Sequence, residues 1–117
     1  MNCSKNRLFL FWNIGKNVYE KQKFYDNSVK KFSDYCSYRF GNSHLFTREN
    51  IHLMKRFYLN FPIYDSRLEE ISWEQYQLLL NISNKNERNF YWNLTRIFHS
   101  DYQEMKDFIN NNYYLRI

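Results

Sequence analysis

The stretch FTRENIHLMKRFY, from Phe46 to Tyr58, predicts an amphipathic helix with a strongly basic side. Thr47 has the side chain of a helix N-cap, and Pro62 prevents continuation, so the helix is expected to have about four turns. Apolar residues at steps of three and four predict its buried side. These residues are Ile51, Met54, Tyr58 and Phe61.

A second helix is predicted immediately before this stretch. Its apolar residues recur at helical spacing from Val29 to Phe40, and Gly41 with Asn42 supplies a left-handed stop. A helix, a tight connection and a further helix have the order of a helix-turn-helix. The connection FGNSHLF is longer than that of the standard motif, so the sequence predicts a loosened variant.

Four further helices complete the prediction. The first runs from Leu8 to about Gln22, and three follow Pro62. Their start signals are, in chain order, Ser72 with Gln75, Asn84 with Glu87, and Ser100 with Gln103. No segment alternates as a strand does, so we expect an all-α fold, a compact bundle of about six helices that contains the helix-turn-helix-like pair.

Length and composition predict one domain over residues 1–117, because a single Pro and two Gly leave no flexible linker. Cys3 and Cys36 are too few and too far apart for a disulfide framework, which favours a cytoplasmic protein. The apolar run RLFLFWNI is too short for a membrane span and lacks a cleavage site. We therefore expect neither secretion nor membrane insertion.

The charge of the chain favours contact with a polyanion. Seventeen Lys and Arg oppose twelve Asp and Glu, which gives a formal charge of +5 and a pI near 9.2. Most of the surplus lies between Met1 and Phe61, whereas Ile63 to Glu74 is acidic.

On the helix quoted first, Arg48, His52 and Lys55 share the side opposite the apolar stripe. Arg48 and Asn50 lie in the first turn, where a recognition helix contacts bases, while Lys55 and Arg56 suit phosphates. The alternative is a solvated face that binds nothing, and the acidic Glu49 counts against a purely phosphate-binding surface.

Four motifs together resemble the YhcG family N-terminal domain, a helical module that precedes a PD-(D/E)XK nuclease domain. They are LFWNIGKNVYEKQ, FTRENIHLMKRFYLNFP, ISWEQYQLLLNISNKNERNFY and IFHSDYQEMKDFINNNYYLRI, in the family's order from about Leu8 onward. Of the matching polar positions, Lys16 and Asn50 are the ones most readily exposed to a partner. Two departures are Gln75, in place of a family histidine, and His99 with Ser100, in place of a Trp-Ser pair. No nuclease domain is present in the 117 residues.

We expect no catalysis. His44, His52 and His99 are scattered, and neither a metal-binding spacing nor a Gly-rich phosphate loop occurs. Cys36 lies on the apolar side of its helix, where an inert thiol is the simpler interpretation. The sequence therefore predicts no metal, no cofactor and no small-molecule ligand.

Two functional hypotheses remain open. The first is a non-catalytic, helix-turn-helix-like DNA-binding module, stand-alone or truncated relative to a nuclease. The second is a protein interaction module, either a homodimer or a domain that docks a separately encoded nuclease subunit, with exposed aromatic residues such as Tyr113 and Tyr114 forming the contact.

Overall fold

The computed structural model describes residues 3–22, 28–41 and 44–116. These residues form six α-helices and two short 3-10 turns, and no strand occurs among them. The helices are α1 (Cys3–Gln22), α2 (Ser28–Phe40), α3 (Arg48–Asn60), α4 (Trp73–Leu80), α5 (Lys85–Phe98) and α6 (Tyr102–Asn110). The turns span Ser66–Glu70 and Tyr113–Arg116. The predicted all-α fold with six helices is confirmed.

Several helix ends follow the sequence signals. The Thr47 hydroxyl accepts from the Asn50 amide at 3.2 Å and caps α3. Gly41, after α2, has a φ of +69° and donates its amide to the Ser37 carbonyl at 2.9 Å, as expected of a left-handed stop. Asn42 lies outside the described residues.

The predicted cap of the sixth helix is wrong by one residue. Asp101, not Ser100, is the N-cap of α6, and Glu104, not Gln103, completes the capping box. Ser100 is buried and its amide donates to the Thr95 carbonyl at 3.1 Å, so it belongs to the end of α5.

The chain forms two compact units, Met1–Tyr64 and Asp65–Ile117. In the first, α3 packs mainly against α1 and less extensively against α2. The fully buried side chains of α3 are Ile51, Met54 and Phe57. Tyr58, predicted to be buried, is only half-buried; its ring lies 5.3 Å from that of Trp12.

The second unit is built around two buried tyrosines. The Tyr76 hydroxyl donates to the Leu68 carbonyl at 2.6 Å and so holds the 3-10 turn against α4. The Tyr91 hydroxyl accepts from the Tyr114 amide at 3.0 Å and attaches the C-terminal turn to α5. Both rings are fully buried. The prediction of one domain over residues 1–117 stays a prediction.

Candidate nucleic-acid interface

Four basic side chains lie on the outer side of α3, and we call this set the α3 face: Arg48, His52, Lys55 and Arg56. Arg48, His52 and Arg56 are exposed, while Lys55 is half-buried. The opposite side of the helix is fully buried, which fixes how α3 presents these residues to solvent. The predicted sharing of a face therefore agrees with the helix geometry.

The side chain of Asn50 makes a hydrogen bond within the protein. Its Nδ2 donates to the carbonyl of His44 at 2.9 Å, within the connection between α2 and α3. The side chain is half-buried. A bidentate contact to adenine uses both the amide nitrogen and the amide oxygen, so Asn50 would have to share one of these groups with the loop.

Lys16 comes from another helix, α1, and follows Gly15, which lies against α3. Gly15 and Met54 lie at a close approach of α1 and α3: a Cβ at position 15 would collide with the Met54 carbonyl and reach 3.0 Å from the amide nitrogen of Lys55. Lys16 and Lys55 are therefore each one residue from the same helix contact. The ammonium of Lys16 lies 5.7 Å from the ring centroid of Trp12, a cation–π arrangement.

The net charge differs sharply between the two units. Residues 1–64 contain eleven Lys and Arg against four Asp and Glu, a formal charge of +7. Residues 65–117 contain six against eight, a formal charge of −2. The boundary between basic and acidic sequence thus coincides with the boundary between the units, and the α3 face lies in the basic one.

Sequence reasoning missed an exposed pair of tyrosines on α2. Tyr35 and Tyr38 are 59% and 89% exposed. They are three residues apart on a helix and therefore share a side, with Lys31 and Arg39 adjacent. The helical spacing of the apolar residues in α2 predicted only its buried side. The sequence signal for the exposed side was the pair of tyrosines between two cations.

The described residues contain no group of three His, Cys, Asp or Glu side chains that could hold a metal ion. Cys36 is 2% exposed, and burial raises the pKa of its thiol, which disfavours the nucleophilic thiolate. An open recess of about 420 Å³ in the second unit is lined by Ser72, Glu74, Gln77, Leu78, Asn81 and Tyr102. Among the described residues, no helix combines the length and apolarity that crossing a bilayer requires.

The second unit exposes several large apolar side chains. Ile97, Phe98 and Leu115 are 67%, 69% and 75% exposed, and Tyr113 is 43% exposed. Tyr114, expected to be exposed, is half-buried, with its ring 5.4 Å from that of Phe90.

Two departures from the YhcG pattern have structural roles here. The Gln75 amide nitrogen donates to the Ser100 carbonyl at 2.8 Å, and its amide oxygen accepts from the Ser72 amide at 2.9 Å. His99 caps the C-terminus of α5 in the left-handed conformation, with a φ of 51°. Gln75 and Ser100 thereby connect the start of α4 to the segment between α5 and α6.

Neither a curated protein nor a solved structure matches the chain significantly. The model of the DUF1016 N-terminal domain matches residues 2–116, which includes nearly all of both units. This match confirms the resemblance to the YhcG-like N-terminal domain, the part of those proteins that is not the nuclease. The chain belongs to the DUF1016 N-terminal domain family.

Proposed function

We propose that this chain is a non-catalytic, helix-turn-helix-like DNA-binding module of the cytoplasm. The observation that carries the proposal is the concentration of positive charge in the first unit, with four basic side chains on the outer side of α3. Lys and Arg that neutralise phosphates release counterions from DNA, and this effect supplies most non-specific affinity.

The dimensions of α3 suit the major groove. Thirteen residues give a helix about 20 Å long, and a major groove about 12 Å wide admits one α-helix. Arg48 is the first helical residue and is exposed, so we assign it the base contact. Lys55 and Arg56 follow two turns later and are assigned to phosphates, with Lys16 extending the contact along α1.

The test is fluorescence anisotropy of a labelled random duplex at low and at physiological salt. We expect salt-dependent binding that the double variant Arg48→Ala and Lys55→Ala weakens at least tenfold. The matched control is Lys85→Ala with Lys106→Ala, which removes two exposed cations from the second unit. Equal loss in both double variants would contradict a specific role for the α3 face, and absence of binding at low salt would overturn the proposal.

An interaction module is the second candidate, because Ile97 and Phe98 at the end of α5 are 67% and 69% exposed. Adjacent large apolar side chains on a surface are typical of protein contacts. The partner would be a second copy or a separately encoded nuclease subunit. Sedimentation equilibrium tests the homodimer. This candidate is favoured if the parent protein is a dimer, if Ile97→Ser with Phe98→Ser makes it a monomer, and if Arg48→Ala with Lys55→Ala leaves it a dimer.

A further inference from the structure

The outer side of α2 combines aromatic rings with positive charge. We call Lys31, Tyr35, Tyr38 and Arg39 the α2 tyrosine face. All four side chains are exposed, and Tyr38 at 89% presents nearly its whole ring to solvent. Lys31 lies four residues before Tyr35, and Arg39 four residues after it, so both cations border the rings.

The other side of α2 fixes this orientation. Val29 and Cys36 are buried, and the Ser33 hydroxyl donates a hydrogen bond to the Phe46 carbonyl in the connection to α3. The Phe40 ring also lies 5.3 Å from that of Phe46. Packing on one side thus keeps the tyrosines turned outward, although burying a Tyr ring contributes substantially to stability in most folds.

We propose that the α2 tyrosine face binds single-stranded DNA by stacking unpaired bases on Tyr35 and Tyr38. The inference rests on the DNA-binding function proposed above and specifies its substrate class. Aromatic rings beside cations are the chemistry by which proteins hold single strands, because every base has a π-face and every nucleotide a phosphate. Charge complementarity supports this occupant: α2 contains three cations and one acid, Asp34, within a unit of formal charge +7.

The spacing of the two rings favours unpaired bases over a duplex. Residues three apart on a helix have Cβ atoms about 5–6 Å from each other. Stacked bases follow one another at about 3.4 Å along each strand of B-DNA, and their faces are already covered by neighbours. A single strand can extend and unstack so that consecutive bases each reach one ring, whereas a closed duplex cannot.

The experiment compares parent protein and variants on three labelled probes: oligothymidylate of about 20 nucleotides, a duplex of the same length and oligouridylate. Tyr35→Ala with Tyr38→Ala should weaken oligothymidylate binding at least tenfold and change duplex binding less than about twofold. Tyr35→Phe with Tyr38→Phe retains both rings and should bind as the parent does. Tyr102→Ala, an exposed tyrosine of the second unit, is the control and should have no effect.

The outcomes separate this inference from the proposed function. If the protein binds the duplex, and if Tyr35→Ala with Tyr38→Ala leaves oligothymidylate binding unchanged, the stacking role alone is overturned. Failure to bind any probe at low salt would overturn both. If the alanine pair weakens oligouridylate binding as much as oligothymidylate binding, the tyrosines stack on single strands of either sugar. Binding of oligouridylate and of no DNA probe would overturn the assignment to DNA.

Discussion

Gly15 of α1 lies directly against the Met54 carbonyl of α3, so close that any Cβ at position 15 would lie well inside 3.0 Å of that oxygen. Gly is unfavourable in the middle of a long helix such as α1. Its presence at position 15 is explained by the space that the close approach requires. The contact belongs to the interface between α3 and α1, the helix against which α3 packs most extensively.

Gly15→Ala should therefore destabilise the first unit. Admitting a methyl group into a packed interface costs about 1–3 kcal/mol, and we take the upper end, about 3 kcal/mol, because the clash is with backbone atoms. The better helix propensity of Ala recovers about 1 kcal/mol. We expect a net loss of about 2 kcal/mol in the free energy of unfolding, measured by urea denaturation with far-UV circular dichroism. Asn17→Ala, at an exposed position of the same helix, should change stability by less than about 0.5 kcal/mol. Equal stability of Gly15→Ala and the parent would contradict the close approach.

A second prediction concerns Gln75, which is 6% exposed and bonds both to the Ser72 amide and to the Ser100 carbonyl. Gln75→Ala removes both partners and leaves a buried carbonyl unsatisfied, which costs about 1–3 kcal/mol. The Ser72 hydroxyl still caps the helix, but the reciprocal bond from the Ser72 amide to the Gln75 side chain is lost as well. We therefore expect about 2–3 kcal/mol of destabilisation by the same denaturation assay. Gln77→Ala, on the same helix and half-buried, is the matched control. If both variants lose the same stability, the bonds of Gln75 contribute nothing specific.

Much of the fold could be predicted because the sequence signals act locally. Thr47 and Ser72 cap the first amides of a helix, and Gly41 ends one. Each does so through a hydrogen bond to a residue within four positions, so its role can be predicted without the tertiary structure. The cap of α6 could not be distinguished in this way, since both Ser100 and Asp101 are capable N-caps with a suitable residue three positions later. The left-handed His99 at the end of α5 decides between them.

The candidate site was only partly predictable for the same reason. The spacing of Arg48, His52 and Lys55 placed them on one side of a helix, and this is a local property. The bond from Asn50 to the His44 carbonyl depends on a loop conformation, and the contact of Gly15 with Met54 depends on helix packing. Likewise, periodicity alone did not show that Phe57 and not Tyr58 would be fully buried.

A third prediction uses the buried thiol of Cys36. Burial raises its pKa, so the folded state keeps the neutral thiol while the unfolded chain ionises first. The stability contribution of this group is complete below the ordinary thiol pKa of about 8.5 and declines as the pH rises above it. In a Cys3→Ser background, a disulfide reagent at pH 8 should label the native protein at least tenfold more slowly than the protein in denaturant. Equal labelling rates would show that Cys36 is accessible.

The last prediction tests whether the DNA contact extends from α3 onto α1. In sequence, Lys16 follows Gly15 and Lys55 follows Met54, the two residues of the same helix contact. The proposed extension of the DNA contact along α1 expects each lysine to meet a phosphate. Each phosphate contact contributes about −0.9 to the slope of log K against log salt concentration. Lys16→Ala should therefore lower the magnitude of the duplex-binding slope by about 1, as Lys55→Ala should, and combining them should lower it by about 2.

The control is Lys106→Ala, which removes an exposed cation from the second unit and should leave the slope unchanged. If Lys55→Ala reduces the slope and Lys16→Ala does not, the phosphate contact is confined to α3. A combined effect smaller than the sum would indicate that the two lysines share one phosphate, and the contact with the DNA backbone would then be counted as one site on both helices.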